Sequence, residues 1–171
     1  MKKELKELKE QMDIETKKIW SEEPDELKKL RMGYIENGAG SYGQYWTAWD
    51  FAYGMIRDYV CSAIYPMLKC TQSPKFNLDQ CKEMFLVFSP PYSEYLGYSG
   101  YRTLDRLCKR FKELLDLLET KDEFIEIITS LLKYSNKLEA WSHHYFPWQI
   151  GLLYPQKTKE EIAELVRLAE I

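Results

Sequence analysis

Histidine is the scarcest reactive residue in this chain, with two among 171 residues, and both fall in one stretch as His143 and His144. Adjacent residues on a helix point about 100° apart, so this pair makes a poor bidentate metal site. The four cysteines, Cys61, Cys70, Cys81 and Cys108, are widely spaced with no C-x-x-C among them, which argues against a zinc module. No metal is expected, and no cofactor either, because phosphate loop, nucleophile motif and cofactor fingerprint are all missing.

An excess of one charge sign is also lacking. Lysine and arginine total 24 against 27 aspartates and glutamates, giving a net charge of −3 and a pI near 5.6. Basic residues are balanced by glutamates along the same helices, so a nucleic-acid partner is not expected. Residues 1–10 are charged rather than apolar, and no apolar run reaches bilayer-spanning length, so neither a secretory signal nor a membrane partner is expected. A soluble, reducing, cytoplasmic setting fits these features. Convincing β alternation and internal repeats are missing as well.

What the chain does hold is apolar and aromatic side chain, 45% and 15% of its residues, too much for disorder. At this length it reads as one domain over residues 1–171, all-α, a single helical bundle of six or seven helices with two long ones in the middle. Residues 2–20 carry Leu5, Leu8, Met12 and Ile19 at heptad-like positions amid dense charge. That is an amphipathic helix with two readings, packing on the bundle or forming a homo-oligomer. A short helix from Pro24 follows, and Gly38, Ala39 and Gly40 break the chain before Ser41 caps the next helix.

Residues 42–68 form the first central helix, apolar over most of its circumference and so expected to be the most buried. Asp50, Arg57 and Asp58 are the charged exceptions between positions 42 and 65, and Pro66 is expected to bend the helix near its end. Trp46, Trp49 and Tyr53 surround Asp50 in sequence. Such aromatics are ordinarily core, and an acid among them is either hydrogen-bonded structurally or holds a polar ligand. Asn77 caps a further helix, and Pro90 and Pro91 end it. Tyr92, Tyr95, Tyr98 and Tyr101 then mark a tyrosine-rich loop, either a lid or a pocket lining. A helix over 102–119 follows, and Thr120 with Glu123 forms a capping box for the second central helix.

That last helix leads into the stretch on which the site hypothesis rests. Phe124, Ile127, Ile128, Leu131, Leu132, Leu138 and Tyr145 define one apolar arc, and Ser135, Glu139, Ser142 and His143 project onto the same arc. Glu139 and His143 are four apart and so are neighbours on the helix surface. Either they are a wet helix end favoured by the helix dipole, or they serve binding or acid–base chemistry. His144 falls outside the arc. Pro147 biases Phe146 out of the helical region, which predicts a helix end near His144 and a new direction for Trp148, packed back on the bundle. A capping box at Thr158 and Glu161 predicts a final helix to residue 171.

The run His143, His144, Tyr145, Phe146, Pro147 and Trp148, with Gly151 beyond, resembles a stretch of the C-terminal helical-bundle domain associated with cucumopine synthase, an opine-forming enzyme that condenses histidine with a keto acid. The resemblance implies a bundle fold. In that family the chemistry is associated with a cyclophilin-like β-domain, for which this sequence offers no β segment, so the resemblance says little about activity.

Three function classes follow. One is a small-molecule-binding helical domain, open to enzymatic activity, whose pocket for a small polar molecule is formed by Trp46, Trp49, Asp50, Tyr53, Arg57, Glu139, His143 and Trp148. Were it catalytic, His143 would be the near-neutral acid or base, Glu139 its orienting partner and Asp50 a second acid or a seat for a cation. The others are a protein–protein interaction module and a structural bundle without a ligand.

Overall fold

The computed structural model describes residues 1–19, 55–90 and 99–153, with residues 99 and 139–153 as backbone only. Five helical elements are seen: α1 (Lys3–Lys18), α2 (residues 55–71), α3 (Leu78–Val87), α4 (Ser99–Leu114) and α5 (Lys121–Leu153). There is no strand among the described residues, so the chain is all-α. The helices expected after Pro24 and after Thr158 lie outside the described residues.

α5 is the axis of the packing, touching α1, α2 and α4, while α3 packs on α2. Its core arc is the one the sequence predicts. Phe124, Ile127, Ile128, Leu131 and Leu138 are buried, joined by Tyr134 and Ser135. The Ser135 hydroxyl donates to the Leu131 carbonyl one turn back, which satisfies a polar group with no solvent access. At the start of α5 the capping box forms as expected. The Glu123 amide donates to Thr120 Oγ1 at 3.2 Å, and Glu123 Oε2 accepts from the amides of Glu119 and Thr120 at 2.9 and 3.3 Å.

The other end of α5 departs from expectation. The helix runs unbroken to Leu153, through Pro147 and well past His144. A proline inside a helix removes one backbone bond and crowds the carbonyl four residues back, but kinked helices do continue through it. The residue before a proline is biased rather than barred from helix, so Phe146 was a weaker stop than its position suggests.

α1 lies along α5 and α4 with Leu5, Leu8 and Met12 buried, the i, i+3, i+7 stripe of an amphipathic helix. Lys2 Nζ meets Glu119 at 2.8 Å, and Lys9 pairs with Glu126 on α5. The apolar stripe of Leu5, Leu8 and Met12 is therefore packed on the bundle within the chain.

α3 and α4 close the core through aromatic rings. Phe85 meets Phe111 at 4.6 Å between centroids, and Phe111 meets Phe124 at 6.0 Å, both tilted. α3 begins on Asn77, whose side-chain oxygen accepts from the amides of Asp79 and Gln80. α4 ends earlier than its periodicity predicts, tightening into a 3-10 turn at Leu115–Leu117. That tightening keeps Leu115 and Leu118 both buried. Lys82 then ties α3 to the turn by donating to the Leu118 carbonyl at 2.8 Å.

Candidate functional site

α2 is where the regular helical pattern gives way. Residues 55–59 are α-helical, Val60–Ile64 form a π-helical turn, and Tyr65–Thr71 resume the α-helix. The amide of Tyr65 donates to the Val60 carbonyl, five residues back. Pro66 supplies the physical cause, having no N–H to give and a ring that crowds the carbonyl of Ser62. The turn before it widens into a π form, which recurs at functional sites.

The described part of α2 is not buried all round. Ile56, Tyr59, Val60, Ala63, Ile64 and Met67 face the core, while Arg57, Asp58, Cys61, Ser62, Tyr65 and Lys69 are exposed. Cys61 and Tyr65 lie on this outer face, Tyr65 with 49% of its surface open. Over its described residues, 55–71, this helix is amphipathic, while residues 42–54 lie outside the described residues. Apolar residues are common on protein surfaces, so their presence around a helix overstates burial.

Met55, Asp58, Tyr59 and Ser62 stand at i, i+3, i+4 and i+7, one stripe of α2. Opposite them the chain leaves α3 through Phe88, which is extended at φ −84° and ψ 134°, and Ser89. Together these six residues line a shallow cavity of about 230 Å³. Its deep wall is fixed from behind, because the Tyr59 hydroxyl lies 3.4 Å from Cys108 Sγ on α4 in a buried hydrogen bond. Its outer wall is fixed by Pro90, which is buried and restricts Ser89 to extended backbone. The Ser62 hydroxyl donates to the Asp58 carbonyl, which leaves its oxygen free to accept.

Behind this wall lies a second polar group of side chains. The Tyr134 hydroxyl donates to the Gly100 carbonyl at 2.8 Å, and Arg106 donates to Thr103 Oγ1 at 3.0 Å, with Tyr101 also buried. Desolvation raises the pKa of Tyr59, Tyr101 and Tyr134 above the ordinary phenol range. Burial likewise pushes the Cys108 thiol up to about 12 and the Cys81 thiol up to about 11. These groups are neutral at physiological pH, so they hold helices together and supply no thiolate or phenolate. All four cysteines are free thiols.

Of the site residues predicted from sequence, Trp46, Trp49, Asp50 and Tyr53 lie outside the described residues. Arg57 is exposed on α2, beside the cavity stripe but not in it. Glu139, His143 and Trp148 ride on the one unbroken helix α5, so the change of direction expected before Trp148 is corrected; their side chains lie outside the described residues. The tyrosine-rich loop over residues 91–98 lies outside them too. Among the described residues no group of His, Cys, Asp and Glu is placed to hold a metal. No helix among them is long and apolar enough to cross a membrane.

Asp58 and Ser62 were not singled out by sequence reasoning, although their i, i+4 spacing was available. The Tyr59 to Cys108 pairing spans 49 residues and had no local signal.

Comparison with known proteins places this arrangement. The family model described as the cucumopine synthase C-terminal helical bundle domain matches residues 5–145. The solved structure of McbB in complex with tryptophan is similar over 90% of this chain, with a TM-score of 0.66 and 31% identity. The chain spans about half the length of McbB, matching 50% of it. No curated protein matches the sequence.

Proposed function

Because the chain belongs to the family of cucumopine synthase C-terminal helical bundle domains, we propose that it is a small-molecule-binding helical domain whose ligand is an aromatic molecule of the amino-acid class. The observation that carries this is the likeness, over 90% of the chain, to McbB, whose structure is a complex with tryptophan. In this reading Trp46, Trp49, Tyr53 and Trp148 wall the ligand, Asp50 meets its ammonium group, and Arg57 meets its carboxylate at the rim. Glu139 and His143, four apart on α5, form a coupled pair at one end of the pocket. Any reaction would fall to His143 as acid or base.

The test is calorimetric titration with tryptophan of the unmodified chain, His143→Ala and Asp50→Asn. Binding is expected to fall in both variants while melting temperature holds or rises, since polar groups kept for function often lower stability. Loss of stability in both with no change in binding would reject the reading.

A protein–protein interaction module is the second reading. Leu86 and Val87, exposed side by side at the end of α3 with 55% and 81% of their surface open, favour it. Concentration-dependent size-exclusion of Leu86→Ser bears on it directly, since self-association through this patch would disappear in that variant.

A further inference from the structure

The cavity between α2 and the end of α3 belongs to none of the residues assigned above, and its chemistry is of one kind. Apolar surface comes from the Met55 thioether and the rings of Tyr59 and Phe88, while the Asp58 carboxylate is its single charge among the described residues. The hydroxyls of Ser62 and Ser89 add acceptors. No described lysine or arginine lines it, and among the described residues Asp58 forms no ion pair. Both walls are held in place, Tyr59 by its bond to Cys108 and Ser89 by the buried Pro90 that follows. At about 230 Å³ the volume falls below the several hundred cubic ångströms of ordinary ligand pockets, so the occupant is small.

We propose that this cavity is a binding site for a compact primary amine carrying an aromatic body, with the ammonium group on Asp58 and the ring against Phe88, Tyr59 and Met55. An ammonium donates to Asp58 and to the Ser62 oxygen, whose own proton is already given to the Asp58 carbonyl. Aromatic rings and a thioether suit a flat apolar body. A carboxylate on the same ligand would face Asp58 with no lysine or arginine among the described lining residues to meet it, so the site discriminates against the amino acid and in favour of the amine.

The experiment is calorimetric titration of the full chain with three probes that share the phenylethyl body: 2-phenylethylamine, phenylalanine and 2-phenylethanol. The amine is expected to bind at least about tenfold more tightly than either the zwitterion or the neutral alcohol. In Asp58→Asn that preference is expected to collapse to near parity with the alcohol, with the melting temperature unchanged because Asp58 is exposed. His143→Ala and Asp50→Asn are expected to leave amine binding intact, which separates this site from the one proposed above. No binding of the amine, equal binding of the alcohol, or an unaltered preference in Asp58→Asn overturns the proposal. So does equal loss of amine binding in Asp50→Asn and Asp58→Asn, which would assign the amine to the other pocket.

Discussion

α5 and α2 are the two helices the sequence marks as central, and they use the same kinds of residue to opposite ends. α5 keeps an uninterrupted apolar arc from Phe124 to Leu138, where Ser130 and Ser135 donate to carbonyls of the helix itself and the Tyr134 hydroxyl donates to the Gly100 carbonyl on α4. It even absorbs a proline at position 147 without ending. α2 meets a proline at position 66 and answers with a π-helical turn, an exposed outer face and a cavity beside it. Regular patterning gives a closed seam; a single interruption gives surface chemistry next to a rigid wall. The physical lesson is that a proline's effect depends on the turn before it, where a carbonyl must find other company.

The largest expected effect comes from truncating the same side chain in both helices. Ile128 on α5 and Ile56 on α2 are buried to nearly the same degree. Ile128→Ala is expected to cost about 4 kcal/mol and Ile56→Ala about 2 kcal/mol, within the known range for such truncations, because the widened turn and the adjacent cavity let α2 relax. Urea denaturation of the two variants measures this. Equal losses would remove the distinction between the helices.

Next in size is the bond that fixes the cavity's inner wall. Tyr59→Phe leaves the Cys108 thiol unpaired in the core, which is expected to cost about 1 kcal/mol in the same assay. A gain in stability would mean the pair is a burden to the fold, not a brace.

A smaller and pH-dependent effect sharpens the α5 side. Glu123 accepts the Glu119 and Thr120 amides, and those backbone hydrogen bonds, the Glu119 bond first, hold its pKa below the ordinary carboxylate range. A carboxylate whose folded pKa is depressed stabilises fully above its unfolded value, about 4.3, and loses that contribution as pH falls through the folded one. Glu123→Gln is therefore expected to flatten the acid limb of the stability curve while leaving the neutral plateau lower. An acid limb identical to that of the unmodified protein would deny Glu123 its role.

How legible all this was depends on the range of the forces involved. Asn77, Thr120 and Glu123 were readable because caps are decided within four residues. The arc of α5 was readable because periodicity reports burial directly. The resemblance seen in residues 143–148 pointed to the right family from a handful of positions, and the family model extends that likeness to residues 5–145. Pro147 misled because a local bias was read without the length of helix behind it. The cavity was not readable, since it needs Phe88 and Ser89 brought across from α3, and Tyr59 anchored by a cysteine 49 residues away. Of the eight predicted site residues only Arg57 has a described side chain, and it is exposed.

The claim that ties these points together is that α5 carries the stability of the bundle while α2 opens locally beside its cavity. Native-state hydrogen exchange measures it most directly, through the amides of Ile128 on α5 and of Tyr65, which closes the π-helical turn. The Ile128 amide is expected to exchange only with global unfolding, and the Tyr65 amide, bonded across the widened turn to Val60, by a local opening of lower free energy. Equal protection at both amides would contradict the account, because the interruption at Pro66 would then have left α2 as closed as α5.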